Sequence, residues 1–366
     1  MNYRNSIPKK HIQCLKVEIN IDADGAKLNQ NRTARRYLKS LVIAMASLFT
    51  MWADAAAVLA QSGSPQGVET VALFNPAAFE TPESIQIDRR GNTYISMALT
   101  GEIRKIAPNG TQSSLAFLPI RPDVQPCGNS FGFPIMGGIA LDHHGNVYAS
   151  VNSCNLPDLG IWKVTQQGQA SLLAKLPANA SPNGIAFHAG WLYVADTVLG
   201  LVWRIHSDGT SLPEVWTADP LLTPVPLPLT PGPNGLQVFR DEVYVAVSDR
   251  AHIVAFPILE DGAAGTGRVH ASGIGLDDFA FDVNGNLYGT TDPFNTVIRV
   301  APDGTVTTLL TASDGLDGPT AAAFGVGADR ENLYITNAAF PFFPGPNPRR
   351  PSLMRLHIGI PGKPRP

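Results

Sequence analysis

Four side chains that carry oxygen ligands are the best candidates for chemistry in this sequence. Each stands just before an apolar strand in one copy of a repeated segment. They align with one another when the copies are matched on the following turn: Glu83, Asn183, Asn234 and Asp277. Two carboxylates would balance the charge of a hard cation, and two amide carbonyls would add ligands without adding charge. Ca²⁺ prefers such an oxygen-only set, and the sequence has no Cys/His cluster that would favour zinc. The pattern predicts one Ca²⁺ bound by these residues.

The two asparagines also have a simpler interpretation. Asn183 and Asn234 are each followed by glycine, and Asn-Gly pairs are common in turns because both residues tolerate positive φ. That interpretation does not explain the carboxylates in two other copies, since neither of them precedes a glycine. The second and sixth copies carry Gly137 and Thr320 at this position. Residue types alone leave both a metal site and ordinary turns open.

A tyrosine that closes a turn marks each copy of the repeated segment. Six tyrosines follow this pattern at spacings of 44 to 54 residues: Tyr94, Tyr148, Tyr193, Tyr244, Tyr288 and Tyr334. The other two of the 8 tyrosines, Tyr3 and Tyr37, lie close to the N-terminus. Each copy reads as an apolar strand, a tight turn, the tyrosine strand, a third strand and a fourth strand.

Four antiparallel strands in a repeat of this length are typical of a β-propeller blade. Six copies predict an all-β, six-bladed β-propeller over residues 68–359, followed by a tail at 360–366. The sixth copy lacks a fourth strand, and residues 68–74 read as a fourth strand without a blade. Pairing the two would close the ring and remove two open edges. The first strand of each blade would line a central channel, so the four oxygen donors would face one axis.

A hydrolytic reaction in this channel would need a base or a nucleophile. Asp277 is the first candidate, because it is both a carboxylate and a predicted metal ligand. Asp278 is the second candidate, although strand alternation would turn its side chain away from the channel. Glu83 is expected to act as a ligand first and as a base second.

The loops predicted at the same end of the channel are rich in aromatic residues and proline. Their phenylalanines are Phe131, Phe133, Phe340, Phe342 and Phe343. Aromatic walls above a polar floor suit a hydrophobic substrate, and packing of long loops over the blades would explain the same residues. His252 lies in another of these loops and is a candidate to assist as a base.

The first sixty residues differ in charge from the rest of the chain. They contain nine Lys/Arg and four Asp/Glu, whereas residues 61–366 contain 18 and 26. A basic stretch and an apolar run that ends in small residues predict a cleaved secretory leader at 1–60 and a linker at 61–67. A membrane anchor is the alternative, but Asp54 interrupts the apolar run. We expect a periplasmic or secreted protein without a stable membrane anchor, and the acidic body argues against binding to nucleic acid.

Two of the 3 cysteines, Cys127 and Cys154, follow the leader. An even pair in an oxidising compartment favours a disulfide. It would join two loops of blade two beside the mouth of the channel. Two buried free thiols are the alternative.

The six copies, with PNGIAF at 182–187 and LYVADT at 192–197, resemble the senescence-marker-protein/gluconolactonase superfamily of six-bladed propellers. The resemblance covers residues 82–359 and is carried by repeats rather than by one long motif. It implies a channel Ca²⁺ held by Glu, Asn and Asp, as in the related paraoxonases and diisopropylfluorophosphatase. The order Glu–Asn–Asn–Asp is similar to that of the phosphotriesterase-like branch. Gly137 and Asn234 depart from gluconolactonases, which have Asn and Asp there, so sugar-lactone hydrolysis is less expected.

These features predict an exported, Ca²⁺-dependent hydrolase of a lactone, ester or phosphotriester with a hydrophobic substrate. A first alternative is a non-catalytic propeller that binds a ligand or a protein, since a fold does not determine a function. A second alternative is a strictosidine-synthase-like enzyme in which a channel acid works without a metal.

Overall fold

The structure is a computed structural model that describes residues 67–121, 127–129, 131–225, 230–343 and 345–364. These residues form six sheets of four antiparallel strands, which are the six blades of a β-propeller. The strand periodicity and turn spacing of the sequence therefore predicted the fold class correctly. The leader at 1–60 and the linker up to residue 66 lie outside the described residues.

The strands follow the order of the blades along the chain. The first strand, β1 (Val68–Leu73), precedes blade one. Blade one contains β2 (Pro82–Ile87), β3 (Thr93–Met97), β4 (Glu102–Ile106) and β5 (Gln112–Phe117). Blade two contains β6 (Ile135–Leu141), β7 (Val147–Asn152), β8 (Gly160–Val164) and β9 (Ala170–Lys175). Blade three contains β10 (Pro182–His188), β11 (Trp191–Asp196), β12 (Leu201–His206) and β13 (Glu214–Thr217).

The remaining strands form the other half of the ring. Blade four contains β14 (Pro233–Phe239), β15 (Glu242–Val247), β16 (His252–Pro257) and β17 (Arg268–Ser272). Blade five contains β18 (Phe279–Phe281), β19 (Leu287–Thr291), β20 (Thr296–Val300) and β21 (Val306–Leu310). Blade six contains β22 (Pro319–Phe324), β23 (Asn332–Asn337) and β24 (Ser352–His357), and it takes β1 as its outer strand.

Helical structure within the described residues is limited to three-residue 3₁₀ turns. They span Pro76–Ala78, Leu156–Asp158, Pro220–Leu222, Ser248–Arg250, Asp292–Phe294, Ala312–Asp314 and Gly327–Asp329. In the part of the chain that the structure describes, no helix has the length and apolar character needed to cross a membrane.

The ring closes through β1, as the missing strand of the sixth copy predicted. β1 pairs antiparallel with β24, and their register places Val68 opposite Leu356. The ion pair between Glu69 and Arg355, 2.5 Å long, crosses the same two strands. After β1, the Phe74 amide still donates to the Pro351 carbonyl. One blade therefore contains both the first and the last strand of the described chain.

The marker tyrosine has the same register in every blade. Its partners on the inner strands are Gln86, Ala140, Ala186, Gln237, Ala280 and Ala323. In three blades the tyrosine hydroxyl also donates to the aspartate that begins the turn, as Tyr288 does to Asp282 at 3.1 Å. The same aspartate accepts backbone amides of its turn. This shared acceptor explains why tyrosine and aspartate recur together in the sequence.

The hydrophobic core is divided among the gaps between neighbouring blades. Between blades three and four, Trp216 packs edge-on against Tyr193 and Phe256, with ring centroids 5.0 and 6.2 Å away. Each blade buries its two faces only when both neighbours are present. The stability of the whole therefore depends on a closed ring.

Hydrogen bonds join neighbouring inner strands around the channel. Thr320 Oγ1 donates to the Pro82 carbonyl at 3.0 Å and so links blade six to blade one. The Gly235 amide donates to the Asp277 carbonyl at 2.8 Å. A Cβ at Gly235 would lie 2.3 Å from that same oxygen, so this approach requires glycine.

The C-terminal residues expected to form a tail lie against the propeller, at the end of the channel where the inner strands finish. Gly362 forms a β-bridge with Asp282. The Lys363 amide donates to the Phe281 carbonyl at 2.9 Å, and its Nζ donates to the Val238 carbonyl at 2.5 Å. Residues 358–364 are therefore held by blades four, five and six and cover part of that end.

Removal of β1 should destabilise the protein. A chain that starts at Asn75 lacks the partner of β24 and the buried Phe74 side chain. Loss of one buried phenylalanine costs about 3–5 kcal/mol, which corresponds to a fall in Tm of about 10 °C in a domain of this size. Thermal unfolding followed by circular dichroism measures this fall. A chain that starts at Gly67 is the matched control, and equal Tm values for both would contradict closure by β1.

Candidate functional site

The inner strands begin at one end of the channel, here called the upper mouth. The structure brings the four predicted ligands together there. A cavity of about 10 Å³ on the channel axis is lined by Glu83, Asn183, Asn234 and Asp277, together with Asp278 and Thr320. A volume of this order holds about one water-sized particle. The site therefore has the dimensions of a single ion.

Three of the predicted ligands are connected by hydrogen bonds across three blades. The Asn183 amide Nδ2 donates to Asn234 Oδ1 at 2.5 Å, and Asn234 Nδ2 donates to Asp277 Oδ1 at 2.8 Å. Asn234 Nδ2 also contacts Ser248 Oγ at 3.2 Å. The two asparagines are thus more than turn residues, because their side chains take part in the polar network of the channel.

Glu83 has the least compensated charge in the site. Its side chain is buried, and its Oε2 atom has no hydrogen-bond partner among the described residues. Burial raises the pKa of Glu83 well above its usual value, and the negative charges of Asp292 and Asp278 raise it further. A buried carboxylate without a partner is costly, so Glu83 requires either a proton or a cation.

Asp277 and Asp278 both line the channel, contrary to the alternation expected of a strand. The strand β18 begins only at Phe279, so the two aspartates precede it. Their backbone amides donate in different directions, to the Thr290 carbonyl at 2.8 Å and to the Thr320 carbonyl at 3.1 Å. Because this segment is irregular, the rule that places successive side chains on opposite faces does not apply to it.

The two aspartates differ in what surrounds their carboxyl groups. Burial in the narrow channel raises the pKa of Asp277 well above its usual value. The negative charges of Glu83, Asp292 and Asp278 raise it further, and the hydrogen bond from Asn234 lowers it. Burial raises the pKa of Asp278 to about 7, against the opposing effects of the Phe279 amide, Gln237 and Lys363. Asp277 is therefore the more crowded of the two carboxyls.

A further acid, Asp292, was not among the residues predicted from the sequence. It follows β19 in blade five, is buried, and has one oxygen, Oδ1, without a partner among the described residues. Burial raises the pKa of Asp292 to about 7, while Arg349 lowers it and Asp317 raises it. The sequence did contain a signal, because Asp292 ends a second strand as Asp196 does in blade three.

The two blades without a predicted ligand carry Gly137 and Thr320 at the equivalent position. A Cβ at Gly137 would lie 2.9 Å from Asn183 Oδ1, so glycine leaves space for that amide. Thr320 turns its hydroxyl to the Pro82 carbonyl and to Thr336 Oγ1, both at 3.0 Å. The Thr320 hydroxyl therefore links blade six to blade one.

The donor set of this cavity suits a hard cation. It consists of carboxylate and amide oxygens, one of them the buried and unpartnered Glu83 Oε2. Among the described residues, no group of three or more His, Cys, Asp or Glu side chains has the arrangement of a metal site. The amides of Asn183 and Asn234 are therefore an essential part of any oxygen ligand set here.

The predicted aromatic residues form one cluster beside the upper mouth. Phe131 and Phe133 come from the connection into blade two, and their centroids lie 5.8 Å apart. Phe133 lies 6.1 Å from Phe342, which in turn lies 4.9 Å from Phe340 and 5.0 Å from Phe343. Loops of two different blades thus build a continuous aromatic wall over blade one.

The disulfide and His252 both lie at the upper mouth, and they do different things there. Cys127 and Cys154 are joined by a disulfide, which fixes the connection that carries Phe131 and Phe133. The ring of His252 contacts the Leu221 carbonyl through Nε2 at 3.0 Å. Because a carbonyl only accepts, Nε2 carries a proton in this contact, and Nδ1 is the atom that remains for a base.

Comparisons by sequence and by structure gave different results. No family model matches the chain, and no curated protein matches it. Several solved structures are similar to the chain. A luciferin-regenerating enzyme is 14% identical with a TM-score of 0.61, and the match covers 81% of this chain and 97% of that one. Regucalcin from Agrobacterium tumefaciens, described as a calcium-binding protein, is 17% identical with a TM-score of 0.61, covering 82% and 96%.

A gluconolactonase from Xanthomonas campestris is similar in the same way, with 17% identity and a TM-score of 0.55 over 81% of this chain and 89% of that one. Identities this low leave side chains free to differ while the backbone is kept. The chain therefore has the fold of the regucalcin and gluconolactonase six-bladed β-propellers, as its repeats predicted.

Proposed function

We propose that this protein is a Ca²⁺-dependent hydrolase of a lactone, ester or phosphotriester with a hydrophobic substrate. The observation that carries the proposal is the buried, unpartnered Glu83 carboxylate beside Asp277 in an ion-sized cavity at the upper mouth. Two asparagines complete the set, and an aromatic wall stands beside it.

The residues that would hold the ion are Glu83, Asn183, Asn234 and Asp277. A bound Ca²⁺ would neutralise the carboxylates and polarise a carbonyl or phosphoryl oxygen of the substrate. Four protein ligands are fewer than the six to eight that Ca²⁺ takes. Water and substrate oxygens would supply the remaining ligands.

Asp277 is the residue to which we assign the role of base or nucleophile. The bond from Asn234 Nδ2 at 2.8 Å fixes one of its oxygens and so orients the carboxyl group. Burial raises the pKa of Asp277, and the negative groups around it raise it further. A more basic carboxylate accepts a proton from water more readily. Glu83, Asp292 and Asp278 supply the surrounding charge, and Glu83 also acts as a ligand.

The aromatic wall supports a hydrophobic substrate. Phe131, Phe133, Phe342 and Phe343 present rings from loops that the disulfide and proline residues stiffen. Lactones and aryl esters combine an apolar body with one polar reacting group, which matches an apolar wall beside a polar floor. The resemblance to a gluconolactonase and to regucalcin in fold favours the same class, while Gly137 and Asn234 argue against a sugar lactone.

We also propose that the protein is exported. The basic and apolar leader supports this, and so does the Cys127–Cys154 disulfide, because such bonds persist mainly in oxidising compartments. A small-molecule substrate in the periplasm or the medium would reach the upper mouth directly.

A metal-free enzyme of the strictosidine-synthase type is the second candidate. It is favoured by one observation: burial raises the pKa values of Asp278 and Asp292 to about 7. Carboxyls with such values exchange protons at neutral pH without a metal. Dependence of activity on Ca²⁺ separates the two candidates, and a propeller that only binds a ligand would turn over no substrate.

Replacement of the proposed base should abolish turnover. We expect Asp277→Asn to lower kcat/KM by about 10²–10⁴ on the best substrate of a panel of lactones, aryl esters and phosphotriesters, because the amide cannot accept a proton. Hydrolysis by the full exported chain, saturated with Ca²⁺, is the measurement.

Asp261→Asn, in an exposed turn of blade four, is the matched control and should keep full activity. Circular dichroism spectra establish that both variants are folded. Wild-type activity in Asp277→Asn would contradict the assignment of Asp277, and activity without added or bound Ca²⁺ would favour the metal-free candidate.

Metal-free protein should lose stability as the pH rises from about 5 to 8. The pKa values of Asp278 and Asp292 are about 7 in the folded chain, whereas an unperturbed aspartate titrates at about 4. Between these values the folded chain binds more protons than the unfolded chain, so its stability falls with rising pH. Tm measured after dialysis against a chelator should fall across this range, and Ca²⁺ should restore it.

Asp292→Asn removes one of these carboxyls and should make the fall in Tm smaller. Asp303→Asn, in an exposed turn of the same blade, should leave it unchanged. A Tm of the metal-free protein that stays constant or rises with pH would show that burial does not raise the pKa values of Asp278 and Asp292.

A further inference from the structure

The channel has a second, larger cavity at its other end, here called the lower mouth. Its volume is about 330 Å³, which is within the range of cavities that bind small molecules. It is lined by the inner-strand residues that pair with the marker tyrosines: Gln86, Ala140, Ala186, Gln237, Ala280 and Ala323. Alanine at four of these six positions leaves the space that larger side chains would fill.

The charge of the lower mouth is opposite to that of the upper mouth. Its cationic side chains are Arg89, Arg90 and Lys105 of blade one and Lys363 of the C-terminal segment, and its carboxylates are Asp88 and Asp142. With His143 and His144 neutral, four cations and two anions leave a formal charge of +2. The side chains that line the cavity therefore carry a net positive formal charge, even though the body of the protein is acidic.

The two carboxylates of the lower mouth are already engaged within their own turns. Asp88 accepts hydrogen bonds from two backbone amides, from Asn92 Nδ2 and from the Tyr94 hydroxyl. Asp142 accepts four bonds of the same kind from its own turn. Asp88 bonds to Arg90 only through the Arg90 backbone amide, and neither carboxylate forms an ion pair with the Lys105 or Arg90 side chain. The positive charge of these two side chains is therefore not cancelled by direct contact.

Lys105 differs from its counterpart in the next blade. Lys163, at the same register position in blade two, donates to the Ser207 carbonyl at 3.4 Å and lies over the Tyr148 ring. Lys105 lies over the Tyr94 ring, 5.7 Å from its centroid, and has no hydrogen-bond acceptor among the described residues. Lys105 borders the cavity and Lys163 does not. The Lys105 ammonium is therefore placed to receive an anion.

One wall of the lower mouth is aromatic. Phe187 is half-buried there, 6.0 Å from the His143 ring and parallel to the Tyr148 ring at 6.3 Å. Lys363, which bonds to blades four and five, forms another part of the boundary. A cationic rim beside an apolar wall fits an anion with an organic body better than a bare inorganic ion.

From this geometry we propose that the lower mouth is a binding site for a small organic anion that carries a phosphate or carboxylate group on an aromatic or apolar body. Lys105 and Arg90 hold the anionic group, and Phe187 contacts the body. No described residue lines both the upper and the lower cavity. The proposal is therefore independent of the hydrolase function assigned to the upper mouth.

Isothermal titration of the full chain with phenyl phosphate, after dialysis into metal-free buffer, tests the proposal. We expect one site per chain, and Lys105→Gln should weaken binding about tenfold because a charge-assisted hydrogen bond is lost. Lys163→Gln is the matched control and should bind as the wild type does. The proposal is overturned if the wild type binds no phenyl phosphate at millimolar concentration, or if both lysine variants weaken binding equally.

Further titrations identify the site and the ligand class. Asp277→Asn should bind phenyl phosphate as the wild type does, and loss of binding in this variant would place the ligand at the upper mouth and overturn the proposal. Inorganic phosphate should bind more weakly, and neutral phenyl glucoside should not bind. Equal binding of phenyl glucoside would overturn the requirement for an anion, and equal binding of inorganic phosphate would overturn the requirement for an organic body.

A measurement on the unmutated protein is independent of how the variants fold. Acetic anhydride acetylates accessible lysines, and mass spectrometry reports the extent at each one. Phenyl phosphate should slow acetylation of Lys105 and leave that of Lys163 unchanged. Equal rates at Lys105 with and without phenyl phosphate would contradict the proposed contact.

Discussion

The close approach of six inner strands to one axis is the constraint on which this protein depends. At the upper mouth it places Glu83, Asp277, Asp278 and Asp292 close enough for each to affect the charge of another. Little water reaches these groups, so their repulsion is poorly screened. The apolar clusters between blades and the closure by β1 hold the acids together in spite of this repulsion. A cation bound on the axis would be attracted by these carboxylates and would relieve the repulsion between them.

The two ends of the channel are built from different positions of the same repeat. Residues at the start of each inner strand supply the acids and amides of the upper mouth, and residues paired with the marker tyrosines line the lower mouth. Neither set belongs to the apolar clusters that hold the blades together, apart from small alanines. These positions can therefore vary in chemistry while the fold is kept, which is why a likeness in fold at 14–17% identity does not determine the substrate.

Much of this arrangement follows from local features of the sequence. The tyrosine, its turn and its aspartate lie within seven residues of one another, so the blades, their order and the strand that closes the ring were predictable. The register also predicted that Glu83, Asn183, Asn234 and Asp277 meet in one cavity. The orientation of Asp278, the charge around Asp292 and the position of Lys363 were not predictable. They depend on contacts between blades that are distant in the sequence, such as the bond from the Asp278 amide to the Thr320 carbonyl.

The upper mouth is proposed to bind one Ca²⁺ through Glu83, Asn183, Asn234 and Asp277. Calorimetric titration of metal-free protein with CaCl₂ tests it most directly, with Glu83→Gln as the variant, because it keeps the shape of the side chain and removes its charge. We expect one Ca²⁺ per wild-type chain and a loss of at least tenfold in affinity in the variant. Absence of calcium binding by the wild type, or equal binding by Glu83→Gln, would contradict it.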